Sequence, residues 1–482
     1  MERIVTANRA RELDAEAIRV RGIPSLSLMK TAAEGIAEAV KARIRKDETV
    51  TAICGTGNNG GDGVAAALLL HRNGFDARIV LVGDESRCTP DTAYCLQAAR
   101  QEGVLIDSAW EPREKELLID ALFGVGLNRP IEGEQRELIE RINASGKVVV
   151  SADLPSGLHA DSGRILGCAV RAACTVTMQA KKAGMLLGKG RALCGDVTVQ
   201  PLFPIDTKPD MFLLEDADIA PLLPKRPFDS HKGQNGHALL CVGSLTYPGA
   251  ALLSSRSALR GGAGLLTVVT PDPVRPYFAQ LPEAITVPTG TDDWCADALN
   301  AVQTAMRNKQ AIGIGCGVGK GDITAILETA LLSGEKLVLD ADALNQMAKN
   351  RDLLTLLHEN VILTPHVGEM ARLLETTVED VQNDPLGAVS SFPCTVLLKG
   401  ATTLVHEKER TAFLTFGNPG LSKGGSGDVL TGLITAMLSQ GLSPFDAACA
   451  GAYLLGTSAD RAMQMLNERM LLASDVIDMV SY

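Results

Sequence analysis

This sequence predicts two successive α/β domains, each built on a parallel sheet. Three observations carry that reading. The chain has 482 residues, and one core stops growing near ~250–300. Short apolar runs alternate with helical ones in both halves, which favours parallel strands joined by helical crossovers. Glycine numbers 47 while aromatics are only 4%, a balance suited to many tight strand-to-helix turns rather than a β-sandwich.

In chain order, the amino-terminal MERIVTANRARELDAEAIRV is charged and amphipathic, with no apolar core of a signal peptide. TVTAIC (49–54) reads as a buried strand, and VAAALLLHRNG as a helix stopped at Gly74. ARIVLVG (77–83), LLIDALFG (117–124) and KVVVSADLPSG (147–157) are further strands of a doubly wound sheet. Residues 201–229 carry Pro at 201, 204, 209, 221, 224 and 227 and read as an extended connection. This divides the chain into domains 1–210 and 220–482. HALLCVG, LLTVVT, AIGIGCG, KLVLDAD, VILTPH and TVLLKG are strands of the second domain, and TLVHEKERTAFLTF is a hairpin. YPGAALLSSRSALRGGAG and GDVLTGLITAMLSQG are helices with Gly stops. No fixed-period repeat is seen.

Net charge is −11 with no basic run, so no nucleic-acid partner is expected. The 11 cysteines are scattered without zinc spacing, which suits reduced thiols in a cytoplasm. No apolar run reaches ~18–20 residues, so no membrane span is expected.

Gly55, Gly57 and Gly60 of CGTGNNGGDG satisfy GxGxxG between a strand and a helix. Such a turn suits a phosphate at a helix N-terminus. A plain dinucleotide-binding dehydrogenase, with Asp84 on the ribose, is one reading; a turn needing glycine only for geometry is another. The continuation NNGGDG adds two amides and an acid, and Asp120 and Asp153 stand at two other strand ends. Strand carboxyl ends of an open parallel sheet share one crevice, so these groups are expected to converge.

In the second half, NPGLSKGGSGDVLTG (418–432) places glycines 424, 425 and 427 before a helix carrying Asp428. Successive backbone N–H groups there form an anion cradle, and an acid in the first turn also suits the helix dipole, which favours a carboxylate. KGATTLV (399–405) suits a nucleotide ribose or phosphate. His366 and Glu369 stand at a helix start, either as site residues or as caps, and Asp340 and Asp342 follow a strand. AIGIGCGVGKGD is not a P-loop, because residue 314 is Ile and Gly follows Lys320.

GTGNNGGDG, DALFGVGL, ADLPSG and TMQAKKAG, over about residues 1–205, resemble the NAD(P)HX epimerase family of YjeF N-terminal type. The resemblance implies a Rossmann-like domain in which Asn58, Asn59, Gly60, Gly61 and Asp62 bind the hydrated nicotinamide nucleotide. It adds Gly124, Val125, Gly126, Leu127, Asn128, Arg129 and Pro130 to that site. It also implies Asp153 as the acid/base group and K⁺ on Asn59, Asp120 and Ser156; oxygen donors suit such a hard cation. Lys182 stands where the family has a Lys, although Lys181 and Ala183 replace the usual prolines.

HKGQNGHALLCVGS, YPGAALLSSRSALRGGAGLLTV, IGCGVG, LDADALN, LTPHVGE, KGATT and PGLSKGGSGD resemble the ribokinase-like ADP/ATP-dependent NAD(P)HX dehydratases over about 228–482. Val367 stands where a Pro is usual. This resemblance implies Asp428 as general base. The hydrate would lie on Ala250, Gly317, Gly319, His366, Val367, Gly368, Glu369, Met370, Ala371 and Arg372. The nucleotide, with Mg²⁺, would lie on Lys399, Gly400, Ala401, Thr402, Thr403, Asn418, Pro419, Gly420, Leu421, Ser422 and Lys423, with Gly424, Gly425, Ser426 and Gly427 at the phosphates.

Together the resemblances imply a cytoplasmic homo-oligomeric enzyme that epimerises NADHX and NADPHX and dehydrates one epimer with ADP or ATP. A vitamin-type small-molecule kinase fused to a non-catalytic ligand-binding domain is the alternative.

Overall fold

A computed structural model describes residues 1–45 and 47–481. The chain forms two compact units, Arg3–Pro209 and the chain from Asp210 onward, the latter also taking in Met1 and Glu2.

In the first unit seven parallel strands lie in the order Leu105–Asp107, Ala77–Leu81, Thr49–Cys54, Glu116–Ala121, Val148–Ala152, Cys174–Met178, Asp196–Gln200. The central strands are buried along their whole length, as expected where helices cover both faces. The winding reverses between Thr49–Cys54 and Glu116–Ala121. The glycine-rich turn and the 122–130 loop leave the sheet at that switch point, where open α/β sheets form their crevice. Ile4 and Val5 pair in parallel with Lys181 and Lys182, and Thr6 caps the helix Ala7–Arg19.

In the second unit ten strands run in the order Ile285–Pro288, Leu265–Thr270, His237–Cys241, Ala311–Ile314, Leu337–Leu339, Val361–Leu363, Thr395–Leu398, Thr403–Glu407, Arg410–Leu414, Met211–Leu213. The hairpin pairings around Thr403–Glu407 are antiparallel, and the rest are parallel. Here the switch point lies between His237–Cys241 and Ala311–Ile314. The helix Ser426–Ser439 is buried and crosses Pro248–Arg260 at Gly432, where a Cβ would strike Ser257 Oγ and the Ser254 carbonyl.

The proline-rich stretch is not only a connection. Met211–Leu213 adds a parallel strand beside Arg410–Leu414, and the helical turn Asp216–Ile219 follows, closed by a Glu215/Asp218 capping box. Phe212, Leu214 and Ile219 are buried in the second core. Residues 210–219 therefore belong to the second unit. Three apolar anchors decide this, and they carry no periodicity among the surrounding prolines and acids.

Candidate functional sites

In the first unit a cavity of about 750 Å³ opens at the switch point. Asp153 stands at its wall, one residue beyond the strand Val148–Ala152, with a left-handed φ of 64°. That conformation costs a non-glycine residue on the order of 1 kcal/mol. Surrounding bonds impose it: Asp153 N–H donates to Val176 O at 2.7 Å. Its Oδ1 accepts from Lys182 Nζ, from Met178 N–H at 3.2 Å and from Thr177 Oγ1 at 3.3 Å. Lys182 is 2% exposed and also donates to Thr177 Oγ1 at 3.0 Å and Met178 O at 2.9 Å.

Two further acids line this cavity, Asp62 from the helix Asn58–Arg72 and Asp14 from Ala7–Arg19. Burial, with Asp153 and Asp14 nearby, pushes the Asp62 carboxyl well above the ordinary range. Asp14 is exposed at the cavity rim, where partial desolvation, opposed by Lys182 and reinforced by Asp153, pushes it up to about 6. Sequence reasoning did not single out Asp14. Its only local signal was an amphipathic helix.

Asn58, Asn59, Gly124, Val125, Gly126, Leu127, Asn128 and Arg129 line the same cavity. Gly60, Gly61 and Pro130 are not among its lining residues. The two glycines serve packing: a Cβ on Gly60 would collide with the Gly55 carbonyl, and one on Gly61 would meet Met29 and Thr92.

Behind the 122–124 loop, Asp120 accepts from Ser156 Oγ at 2.6 Å, and from Ser156 N–H and Ser151 Oγ, each at 2.8 Å. Ser156 Oγ in turn accepts from Phe123 N–H at 2.9 Å. Burial raises the Asp120 carboxyl, and these hydrogen bonds oppose the rise. Asn59 Oδ1 and Nδ2 are buried and have no hydrogen-bond partner among the described residues, close to where a Gly124 Cβ would sit, at 3.2 Å. An orphaned buried amide is costly unless something outside the chain satisfies it.

In the second unit the strand-end turns meet around Asp340, which is 1% exposed. Asp340 accepts from Lys399 Nζ at 2.7 Å and Thr431 Oγ1 at 2.8 Å, and Glu369 lies 3.7 Å from the same ammonium. Burial alone would depress Lys399, but Asp340 and Glu369 outweigh it and hold the ammonium raised. Gly425, with φ 97°, turns the chain into the helix Ser426–Ser439. A Cβ on Gly427 would sit 3.5 Å from Asp340 Oδ2 and 3.7 Å from Lys399 Nζ, so the ion pair lies directly against the glycine-led helix start.

Asp428 is the third residue of that helix. Burial, then the neighbouring Asp340, pushes it up to about 6, while Cys316 and Lys399 pull the other way. The helix dipole, expected to favour the carboxylate, is outweighed by desolvation.

His366 and Glu369 form a reciprocal cap. His366 Nδ1 accepts from Gly368 N–H at 2.9 Å, and Glu369 Oε2 accepts from His366 N–H at 2.8 Å. Asp342 Oδ2 accepts from Gly319 N–H at 2.7 Å, and Arg372 Nε donates to Asn345 Oδ1 at 3.0 Å. Gly319, Asp342, Asn345 and Arg372, with Gln346 and Lys349, surround a hollow of about 500 Å³, which His366 and Glu369 do not line. Gly317 packs on Ala250 and Tyr247, and Gly319 faces the Tyr247 ring; Tyr247 was not foreseen. Met370 and Ala371 are buried and do not line this hollow. Asn418 is held by Asp460, with its Nδ2 donating to Oδ1 at 2.9 Å, and Lys423 Nζ donates to the Arg469 carbonyl at 2.5 Å. Lys399 N–H donates to Pro365 O at 2.9 Å and joins the 365–369 and 399–403 turns.

Two largely parallel sheets, each with acids gathered at the carboxyl ends of its strands and one with a glycine-led helix start, define a two-unit α/β enzyme. Residues 25–184 match the YjeF-related protein N-terminus family, and residues 238–481 match the NAD(P)H-hydrate dehydratase family. A bifunctional NAD(P)H-hydrate repair enzyme of Coxiella burnetii is 36% identical, over 97% of this chain and 96% of its own length. One of Thermofilum pendens is 34% identical over 94% and 90%, and one of Escherichia coli 32% over 98% and 92%. Among solved structures, a ribokinase-like superfamily protein of Enterococcus faecalis is 26% identical, with TM-score 0.49, over 58% of this chain and 96% of that one. The chain belongs to the family of bifunctional NAD(P)H-hydrate repair enzymes.

Proposed function

We propose that the first unit interconverts the two epimers of NADHX and NADPHX, and that the second dehydrates one of them to NADH or NADPH at the expense of ADP or ATP. The observation that carries the reading is Asp428. It stands behind a glycine-led helix start, beside a lysine that Asp340 already binds. Such a carboxyl is free to take a proton.

Hydroxide is a poor leaving group. Asp428 takes the hydrate hydroxyl proton as that oxygen attacks the terminal phosphoryl group of the nucleotide. The backbone N–H groups of Gly425, Ser426 and Gly427, at the positive end of the helix, receive the developing negative charge. The phosphorylated oxygen then leaves as phosphate, the neighbouring ring carbon gives up its proton, and the ring double bond is restored. Turns 399–403 and 418–423 hold the nucleotide, which brings Mg²⁺ with it. Gly317, Gly319 and Arg372 hold the hydrate.

In the first unit, Asp153 exchanges the proton and Lys182 fixes its orientation. The donor set of Asn59, Asp120 and Ser156 fits K⁺, since the Asn59 amide is buried and has no hydrogen-bond partner among the described residues. A bound K⁺ would organise the 122–130 loop over the substrate.

The same reading gives a cytoplasmic location, which suits the 11 unpaired cysteines. It also gives a homo-oligomer, whose order sedimentation would establish. Among the described residues no helix is long and apolar enough to cross a membrane.

The test is recovery of reduced-nicotinamide absorbance from mixed-epimer NADHX with Mg²⁺ and either ADP or ATP. Complete recovery is expected, with Asp153→Asn stopping after one epimer's share. Release of a stable phosphorylated small molecule without recovery would identify a kinase instead.

A further inference from the structure

The first-unit cavity holds one carboxyl fitted with a cation and another fitted with none. Asp153 accepts three hydrogen bonds, one of them from the Lys182 ammonium. Lys182 spends its remaining donors on Thr177 and Met178. Asp62 faces the same cavity from a different element. Among the described residues it accepts no hydrogen bond. Asp153, Asp14 and Lys182 act on it electrostatically, the buried thiols Cys54 and Cys95 also lie within its reach, and that lysine is already taken. Asp14 reaches the cavity from a third element, the helix Ala7–Arg19. Asp62 is half-buried at the cavity wall, and a further bare anion in a cavity that already holds Asp153 and Asp14, with the one buried ammonium taken, is unfavourable, so Asp62 retains its proton.

From this placement we infer that Asp62 is a second catalytic residue of epimerisation, giving its proton to the hydrate oxygen, and that Asp14 is a positioning residue that keeps Asp62 protonated. The inference rests on the epimerase reading above.

The chemistry balances around the hydroxyl-bearing carbon, which is bonded to the ring nitrogen. The Asp62 proton passes to the hydroxyl oxygen, and the carbon–oxygen bond breaks with its electron pair leaving on water. The nitrogen lone pair forms a carbon–nitrogen double bond. Water then adds to the other face of that carbon and the double-bond pair returns to nitrogen. Asp153 takes the proton released by the added water. Net, one water leaves and one enters, and one proton moves from Asp62 to Asp153. Exchange with solvent resets both acids.

The experiment uses the full chain and a purified epimer of NADHX, with the two epimers separated chromatographically over time. Asp62→Asn is expected to lower kcat for epimerisation by about 10²–10⁴-fold, with KM little changed. Asp62→Glu should recover part of the loss. The wild-type rate should fall on the alkaline side as Asp62 loses its proton. Asp14→Asn, by removing a neighbouring negative charge, should move that fall to lower pH. Wild-type kcat in Asp62→Asn would overturn the inference, as would a wild-type profile with no alkaline fall; the latter needs no variant to fold. An unmoved limb in Asp14→Asn overturns the role of Asp14. An inactive Asp153→Asn beside an active Asp62→Asn removes this inference alone. Activity in both removes the acid/base reading of the whole cavity.

Discussion

Each unit sets a lysine on a buried aspartate at the carboxyl ends of its strands, Lys182 buried and Lys399 half-buried, but the pairs are used differently. In the first, Lys182 binds Asp153, the acid assigned to the chemistry. In the second, Lys399 binds Asp340, and the acid assigned to the chemistry, Asp428, stands beside the pair and is pushed up to about 6. A buried pair broken on one side costs about 3–5 kcal/mol, so each lysine is a structural commitment. What differs is which carboxylate receives it. A carboxylate bound by a fixed ammonium has its orientation set; one left beside such a pair has its proton affinity set. The first arrangement suits a group that must be aimed at one carbon, the second a base that must collect a hydroxyl proton near neutral pH.

The comparison breaks most plainly with Asp428→Asn, which should lower dehydration by about 10²–10⁴-fold while epimer exchange in the same chain continues. Recovery of reduced-nicotinamide absorbance and chromatographic separation of epimers read the two activities apart. Next are the lysines themselves. Lys182→Met and Lys399→Met each leave a buried carboxylate unpaired and should each cost about 3–5 kcal/mol, measured by denaturant unfolding of each unit's transition. Equal stability in either variant would mean that the pair does not hold its site.

A finer contrast lies in pH. Dehydration kcat should rise with pH through about 6, because Asp428 must lose its proton to act as base. Lys399 favours the Asp428 carboxylate, so any residual activity of Lys399→Met should rise at higher pH than the wild type. The smallest effect concerns Asn59. Losing one oxygen ligand worth ~1.5 kcal/mol should raise the K⁺ concentration needed for half-maximal epimerisation by about tenfold in Asn59→Ala. An unchanged K⁺ response would remove Asn59 from the cation set.

Much of the fold was legible because it is written locally. Buried strands such as Thr49–Cys54 and Ala311–Ile314 are short apolar runs, and the glycine turns that end them follow directly in sequence. The sites were legible only in part. The clasp of Lys182 on Asp153 joins residues 29 apart, and that of Lys399 on Asp340 residues 59 apart; no periodicity encodes either. Asp14 entered unnoticed because an exposed acid on an amphipathic helix carries no local signal that it borders a cavity. The small size of Gly60 closes the turn on the Gly55 carbonyl and that of Gly61 admits Met29 and Thr92, two demands that the glycine motif does not distinguish from ligand contact. Met370 and Ala371 lie on the buried face of a helix whose exposed face carries Arg372, a distinction that a contiguous motif cannot make.

The strand Met211–Leu213 has a consequence for how the chain can be divided. It covers the outer edge of Arg410–Leu414, whose N–H and C=O groups would otherwise stand as an open row ready to recruit another chain. Phe212 also stacks edge-on against Phe445, with ring centroids 6.3 Å apart. A second unit cut free after residue 219 would lose both, and would expose an adhesive edge above an unroofed aromatic. A cut before Asp210 carries the strand and Phe212 along, so a few residues dense in proline and acid decide whether the edge of Arg410–Leu414 stays covered.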